Sequence, residues 1–413
     1  MKIIIRLKTI EYVALVLYII FYLFHQIIMA ILGYKVAVMI LLAAFCLGLI
    51  SQINNLRYAS LGQCLWVVYA LVVSNNNQSI SHGNISEYLI TLTHIGFAYI
   101  LSKEIKDIGS DLVQIIACLG LIHCLATIVL FIIPNLYSYV INIYGAMVDV
   151  WGPGVGSEFG YRAGITSHYS SNGIYCAFTC IAFAAEFFAN KDNKNKLMAS
   201  GFILSAFALV LTAKRGHIIF MFFSLIITYV LVINENYAKK VFKVFFVFIV
   251  TLIGFIIAAK IIPVVSLVLE RFLYNGDFSS GRFVIWKEAL TTVKDNLLFG
   301  IGWKGFYYKT LGQNSYLGYT NVHNIYIQLL CEAGIIGLIA VSIIFAYNLL
   351  VSIKVNKKLT DYADKKVLFF AVSSQIFFII YGFTGCGLYD FTFIMYVLSS
   401  ALILSYWYNI RRN

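Results

Sequence analysis

Apolar runs of about 20 residues, separated by mostly short polar connections, follow one another from end to end of the chain. At 1.5 Å of rise per residue, such a run crosses a hydrocarbon layer of about 30 Å. The pattern predicts twelve spans, over 10–32, 36–53, 58–74, 86–101, 112–133, 169–189, 197–212, 216–233, 241–260, 324–351, 367–384 and 388–408. Backbone polar groups in lipid must be satisfied within each span, so the spans are helices. The expected fold is all-α: a polytopic integral membrane protein with about 12 transmembrane helices in a single transmembrane domain over 1–413.

Two connections are long, 134–168 and 261–323, and long ordered loops usually carry function. The first holds Gly145, Gly152, Gly154, Gly156, Gly160 and Gly164 with Pro153, an irregular stretch whose only basic residue is Arg162. It lacks the Lys-Ser/Thr ending of a phosphate-binding P-loop. The second contains "SSGRFVIWKEALTTVKDNLLFGIG", where Trp286, Ala289, Leu290, Val293 and Leu297 recur at helical spacing opposite Lys287, Glu288, Thr291, Lys294 and Asp295. This predicts an amphipathic helix of about 18 residues on the outer membrane surface, with Ser280 as N-cap and Gly300 as stop. Arg282 falls in its first turn, where a cation opposes the helix dipole.

Composition agrees with the hydropathy pattern. The chain is 61% hydrophobic and 12% charged, against about 45–50% and 25% for soluble domains. Most of its 30 Lys and Arg residues lie in segments that are cytoplasmic when both termini are, so the basic-residue bias predicts that orientation and places both long loops outside. The net charge of +12 then reflects topology and anionic lipid, and no nucleic-acid partner is expected. "MKIIIRLK" runs directly into the first span, and no cleavable signal is expected. The eight cysteines lie in or beside apolar spans without a CxxC pair, which predicts neither disulfide nor metal site.

The polar groups expected outside are Arg162, Lys214, Arg215, Arg271, Arg282, Tyr319, Asn321, His323 and Asn324, with Glu332 two turns into the following span. Guanidinium groups suit phosphate through paired, charge-assisted hydrogen bonds. An imidazole suits proton transfer near neutral pH. No GxSxG elbow and no close histidine pair is present, which argues against Ser-His-Asp and zinc chemistry. A metal-independent transfer with a phosphate leaving group fits better, and no cofactor is expected. Gly334 and Gly337 predict close helix packing.

The ordered set "TAKRG", "GRFVIWKEAL", "NLLFGIGWKGF" and "VHNIYIQLLCEAGIIGLI" resembles the O-antigen ligase and polymerase superfamily of bacterial surface polysaccharide assembly. The close resemblance covers about 205–345. It implies an integral-membrane glycosyltransferase of the bacterial inner membrane, acting on the extracytoplasmic side with an undecaprenyl-diphosphate-linked oligosaccharide as donor. By that resemblance His323 is the catalytic base, Arg215 and Arg282 hold the diphosphate, and Arg162 matches a family arginine; Lys214, Arg271, Tyr319 and Asn324 are expected to contact substrate from their place among the outer polar groups. The acceptor defines two activities: a polymerase extends the next lipid-linked repeat of an O-antigen, capsule or exopolysaccharide, and a ligase transfers to lipid A core. The Lys/Ile/Asn-rich composition favours the polymerase, with a chain-length regulator as candidate partner. A flippase for the same lipid-linked sugar is the alternative of another class, but no repeat between halves supports it.

Overall fold

The computed structural model describes residues 2–52, 59–102, 109–144, 163–189, 196–233, 235–261, 266, 281–312 and 321–412. Every regular element among them is helical. In chain order these are α1 Lys2–Leu32, α2 Tyr34–Gln52, α3 Leu61–Ser74, α4 Gln78–Ser81, α5 Ile85–Leu101, α6 Gly109–Ile132 and α7 Tyr137–Tyr144. They continue with α8 Tyr169–Ala189, α9 Lys196–Leu211, α10 Arg215–Val232, α11 Tyr237–Ile261, α12 Arg282–Asp295 and α13 Gly305–Gly312. The last three are α14 Ile325–Asn356, α15 Tyr362–Tyr381 and α16 Thr392–Arg412.

Seven of these helices are long and apolar enough to cross a membrane: α1, α2, α6, α8, α10, α14 and α16. The chain is thus an all-α polytopic membrane protein. Each of the twelve predicted spans overlaps a helix, but seven among the described residues meet the length and composition of a full crossing. α3 accounts for part of the difference, since its 14 residues rise only about 21 Å, short of a hydrocarbon core of about 30 Å.

α8 lies at the centre, packed on α6, α9, α10 and α15, while α16 joins α15 to α14 and α5. Lipid offers no hydrophobic drive between helices, so close packing and interhelical hydrogen bonds carry these contacts. Gly120 of α6 leaves room for Thr179 of α8. Asn348 of α14 donates to the Tyr396 hydroxyl and to Ser400 Oγ of α16, each at 3.0 Å.

α14 is not continuous. Gly334 has φ 67° and ψ −172°, a conformation open to glycine and strained for any L side chain, and it breaks the helix. The freed backbone groups pair with residues 297–302: Ile301 N–H donates to Cys331 O at 3.0 Å, Gly302 N–H to Glu332 O at 2.9 Å, and Ile335 N–H to Leu297 O at 2.8 Å. A broken helix survives at membrane depth where protein re-satisfies its backbone in this way. A Cβ on Gly334 would overlap the Leu298 carbonyl, and one on Gly300 the Glu332 backbone. The packing role expected for Gly334 is therefore corrected to that of a breaker. Gly337 does face another helix, since its Cβ would stand 3.4 Å from Val72 of α3.

The amphipathic helix of the second long loop is α12, with 14 residues rather than the expected 18. It starts from Gly281 in the left-handed region (φ 80°), and Ser280 lies outside the described residues. Gly300 is not its stop, because the helix ends at Asp295 and Gly300 serves the crossing with α14. Ala289 and Val293 are buried as the pattern predicts, whereas Leu290 and Leu297 are exposed and Thr292 is buried in their place. α12 rests on α14 through this narrow stripe. Phe283, Val284, Leu298 and Phe299 remain uncovered, a surface suited to the bilayer interface.

Candidate functional site

His323 stands at the head of the broken helix, between two anchored neighbours. Val322 is fully buried with Ala289, Val293 and Phe306, and its carbonyl accepts the Trp286 indole N–H at 2.9 Å. Asn324 caps α14, its Oδ1 accepting the N–H groups of Tyr326 at 3.0 Å and Ile327 at 3.1 Å. Its Nδ2 donates to Phe383 O at 3.2 Å. Ile325 N–H donates to Gly382 O at 2.8 Å, tying the helix start to the end of α15. Held from both sides, His323 adopts φ 55°, a left-handed conformation costing about 1–3 kcal/mol that persists where the surroundings over-determine it. The Asn324 carboxamide is committed within the protein at both ends. It is a cap that fixes the backbone beside His323.

The charges of Arg282 and Lys214 reach the buried imidazole. Burial, and after it the charges of Arg282 and Lys214, pushes its pKa down to about 4. It is therefore neutral at neutral pH and able to accept a proton. Nδ1 is 3.1 Å from Cys386 Sγ, in the turn between α15 and α16. Burial holds that thiol up at about 12, so it is un-ionised. Nε2 is left as the edge that can meet a substrate.

Arg282 is the first residue of α12, half-buried and within electrostatic reach of His323, Cys386 and Tyr381. Lys214 occupies the turn between α9 and α10, where Ala213 takes φ 53° and the Thr212 hydroxyl accepts the Lys214 N–H at 3.4 Å. Its ammonium lies 4.1 Å from the centre of the Tyr169 ring, a cation–π contact. Arg215 follows as the first residue of α10, half-buried at the same end of the bundle. The sequence thus located Lys214, Arg282 and His323 in one neighbourhood. Arg162, Arg271 and Tyr319 lie outside the described residues.

Four participants were not anticipated. His168 borders Lys214, and burial followed by that charge lowers its pKa to about 4; its Nδ1 accepts the Ser170 N–H at 3.1 Å. His217, two residues beyond Arg215, is 2% exposed and within reach of Lys214, Arg282 and His168. A Cβ on Gly173 would stand 2.6 Å from its Nδ1, so α8 needs glycine at that crossing. Tyr381 donates to Asp390 Oδ2 at 2.7 Å, and Asp390 also accepts from Thr392. The sequence signal for His217 was its place in "KRGH"; Tyr381 and Asp390 carried none, being one tyrosine among 29 and a carboxylate in a short turn.

Glu332 belongs to a different arrangement. It is buried, and its carboxylate accepts the N–H of Lys304 at 3.1 Å, the N–H of Phe306 at 3.3 Å and the Tyr389 hydroxyl. Lys304 in turn reaches Glu87 of α5, Nζ to Oε1 at 2.5 Å. Glu332 thus holds the "GIGWKGF" segment and the start of α13 against α14, and its expected place among the groups around His323 is corrected to this role.

These features define a multi-helix membrane protein with an imidazole and cations gathered at one end of the bundle. Residues 200–342 match the family model described as O-antigen ligase, a segment that carries Lys214, Arg215, Arg282, His323 and the break in α14. The match supports the O-antigen ligase/polymerase superfamily for this chain and, with it, a ligase- or polymerase-type activity. No curated protein matches the chain.

Proposed function

We propose that the protein polymerises lipid-linked oligosaccharide repeats, transferring the growing glycan from undecaprenyl diphosphate to a sugar hydroxyl of the next lipid-linked repeat. The observation that carries this reading is the His323 imidazole, held at the head of α14 with Nδ1 3.1 Å from Cys386 Sγ and within reach of the charges of Arg282 and Lys214. In the step, His323 Nε2 takes the proton of the acceptor hydroxyl as its oxygen bonds to the anomeric carbon. The bond from that carbon to the diphosphate oxygen breaks, and the diphosphate leaves with the electron pair. Arg282, Lys214 and Arg215 oppose its growing charge, the role that preorganised cations fill without a metal. For Nε2 to accept, Nδ1 must carry the ring proton and Cys386 Sγ must receive it.

The electrostatics also couple binding to basicity. An imidazole with a pKa near 4 is a weak base. A bound diphosphate neutralises the cations that depress it, and so raises its affinity for a proton when substrate is in place. By the basic-residue bias, the His323 end faces the extracytoplasmic side of the bacterial inner membrane, where the donor and a chain-length regulator would meet it. The ligase reading shares donor, base and cations and differs only in acceptor.

The test is an assay of purified protein with synthetic undecaprenyl-diphosphate repeats, with and without a lipid A core acceptor. Chain extension from repeats alone, lost in His323→Ala, supports the polymerase. Product formed only when lipid A core is added moves the assignment to ligase. In cells, His323→Ala should leave single lipid-linked repeats on the outer leaflet; their retention on the inner leaflet would make the protein a flippase.

A further inference from the structure

A cavity of ≈ 380 Å³ opens beside the candidate site, between α1, α2, α5 and the turn that precedes α16. The volume is within the ~300–1,000 Å³ range of small-molecule sites and equals about a dozen liquid waters, enough for a sugar ring. Its wall is shared with the catalytic neighbourhood: Cys386 meets His323, and three residues later Tyr389 and Asp390 line the cavity. Lys304 and Glu87 pair at the α5 end. His25 and His94 line the interior, the latter nine residues into α5, or about 14 Å from its start.

The polar groups select the occupant. His25 and His94 are buried, and each Nδ1 is paired within the wall, to Phe21 O at 3.0 Å and to the Tyr18 hydroxyl at 2.9 Å. The Nε2 edges remain as what the rings can offer to the cavity. An acyl chain would leave the Nε2 edges of these two imidazoles unmet, a cost that a hydroxyl-bearing occupant avoids. A diphosphate would meet two carboxylates and one ammonium. A neutral polyol is suited to both features, since its hydroxyls donate and accept while its C–H faces pack on Phe391 and Tyr389. Arg282 and Lys214 act on His323 across the shared wall, whereas the cavity lining holds Glu87, Asp390 and one cation, Lys304, that is already paired with Glu87.

We propose that this cavity is a saccharide subsite that binds neutral sugar residues of the acceptor or nascent glycan and rejects acidic ones. The inference deepens the glycan-transfer reading and rests on it for the source of the sugar, while the binding claim stands on the cavity. The test uses full-length protein in nanodiscs free of sugar-based detergent. Lactose and N,N′-diacetylchitobiose are the neutral probes and digalacturonate the acidic one, followed by saturation-transfer NMR. Binding of a neutral probe is expected, with none for digalacturonate. Ser86→Trp with Thr91→Phe, which fills the mouth, should weaken neutral binding by roughly tenfold or more, a loss of about 1.4 kcal/mol per decade. Thr91→Phe alone is the milder variant if the pair fails to fold. Silence from both neutral probes, an equal digalacturonate response, or neutral binding untouched by filling would overturn the subsite. Thermal shift with inorganic pyrophosphate, compared between wild type and Arg282→Gln, separates the two readings. Saccharide binding without pyrophosphate binding keeps the cavity and sinks the transferase; the reverse sinks the cavity alone.

Discussion

Trp286→Phe isolates one hydrogen bond on which the placement of the base depends. The indole N–H donates to Val322 O at 2.9 Å, immediately before His323. Phenylalanine keeps an aromatic ring on α12 while removing the donor and the second ring of the indole. The buried carbonyl loses its partner, which costs about 1–3 kcal/mol, and the left-handed backbone of His323 stores a comparable ~1–3 kcal/mol. With the restraint gone, the backbone gains by relaxing toward ordinary φ values, and the base moves. At 1.4 kcal/mol per tenfold, a loss of about 2 kcal/mol shifts the ratio of placed to displaced base by roughly 30-fold. The expected result is a fall in kcat of about tenfold or more with KM for the lipid-linked repeat little changed, because the change leaves in place Arg282 and Lys214, the cations proposed to hold the diphosphate. Steady-state kinetics of purified protein read this directly. In a His323→Ala background the same change should have no further effect on turnover. A kcat within twofold of wild type would show that the bond supports stability alone and would refute the account of how His323 is held.

Three other outcomes follow from the same geometry. Because burial, and after it Arg282 and Lys214, lowers the free-enzyme pKa of His323 to about 4, the acid limb of kcat/KM should lie near pH 4 rather than near the ordinary 6.5; a limb at 6.5 would mean that neither burial nor the two cations depresses the imidazole. For stability the sign is fixed: His323 and His168 resist protonation in the fold while the unfolded chain accepts protons below about 6.5, so stability should decline as pH falls from about 6.5 to about 4, then level off. Arg215→Lys keeps charge but loses the paired fork, and should cost most of the activity with normal membrane insertion; near-normal turnover removes Arg215 from the diphosphate role. Glu332→Gln puts an amide among the three donors that Glu332 accepts. It should lower thermal stability by about 1.5–3 kcal/mol, with an activity loss no greater than the lost folded fraction explains; a large kcat defect in fully folded protein would return Glu332 to the chemistry.

Hydropathy made the helices legible because each span is an unbroken apolar run. Lys214, Arg282 and His323 could be found since each is a polar residue at a helix start, where sequence places few by accident. What stayed hidden depends on contacts between distant segments. Nothing local shows that the Asn324 side chain ties α14 to α15; its Nδ2 partner, Phe383 O, lies 59 residues away. Gly334 reads as one of two glycines on a helix face, and only the approach of Leu298 shows that it breaks the helix. The shorter α12 has the same origin, because the expected stripe assumed a wide contact, whereas α14 offers a narrow one.

The break in α14 and the strain at His323 have a common cause. An unbroken α14 would satisfy its own backbone and leave residues 297–302 with nothing to pair with. By opening at Gly334, the helix exposes Cys331 and Glu332 carbonyls that bind Ile301 and Gly302, and this fixes the segment of turns directly after α12. α12 is thereby held at its C-terminal side by the break and at its first turns by the Trp286–Val322 bond. Two attachments fix a rigid helix where one would let it swing, and Arg282 rides on its first turn. The glycines of "GIGWKGF" and the broken span therefore act on the chemistry at a distance, by setting where a guanidinium stands relative to an imidazole.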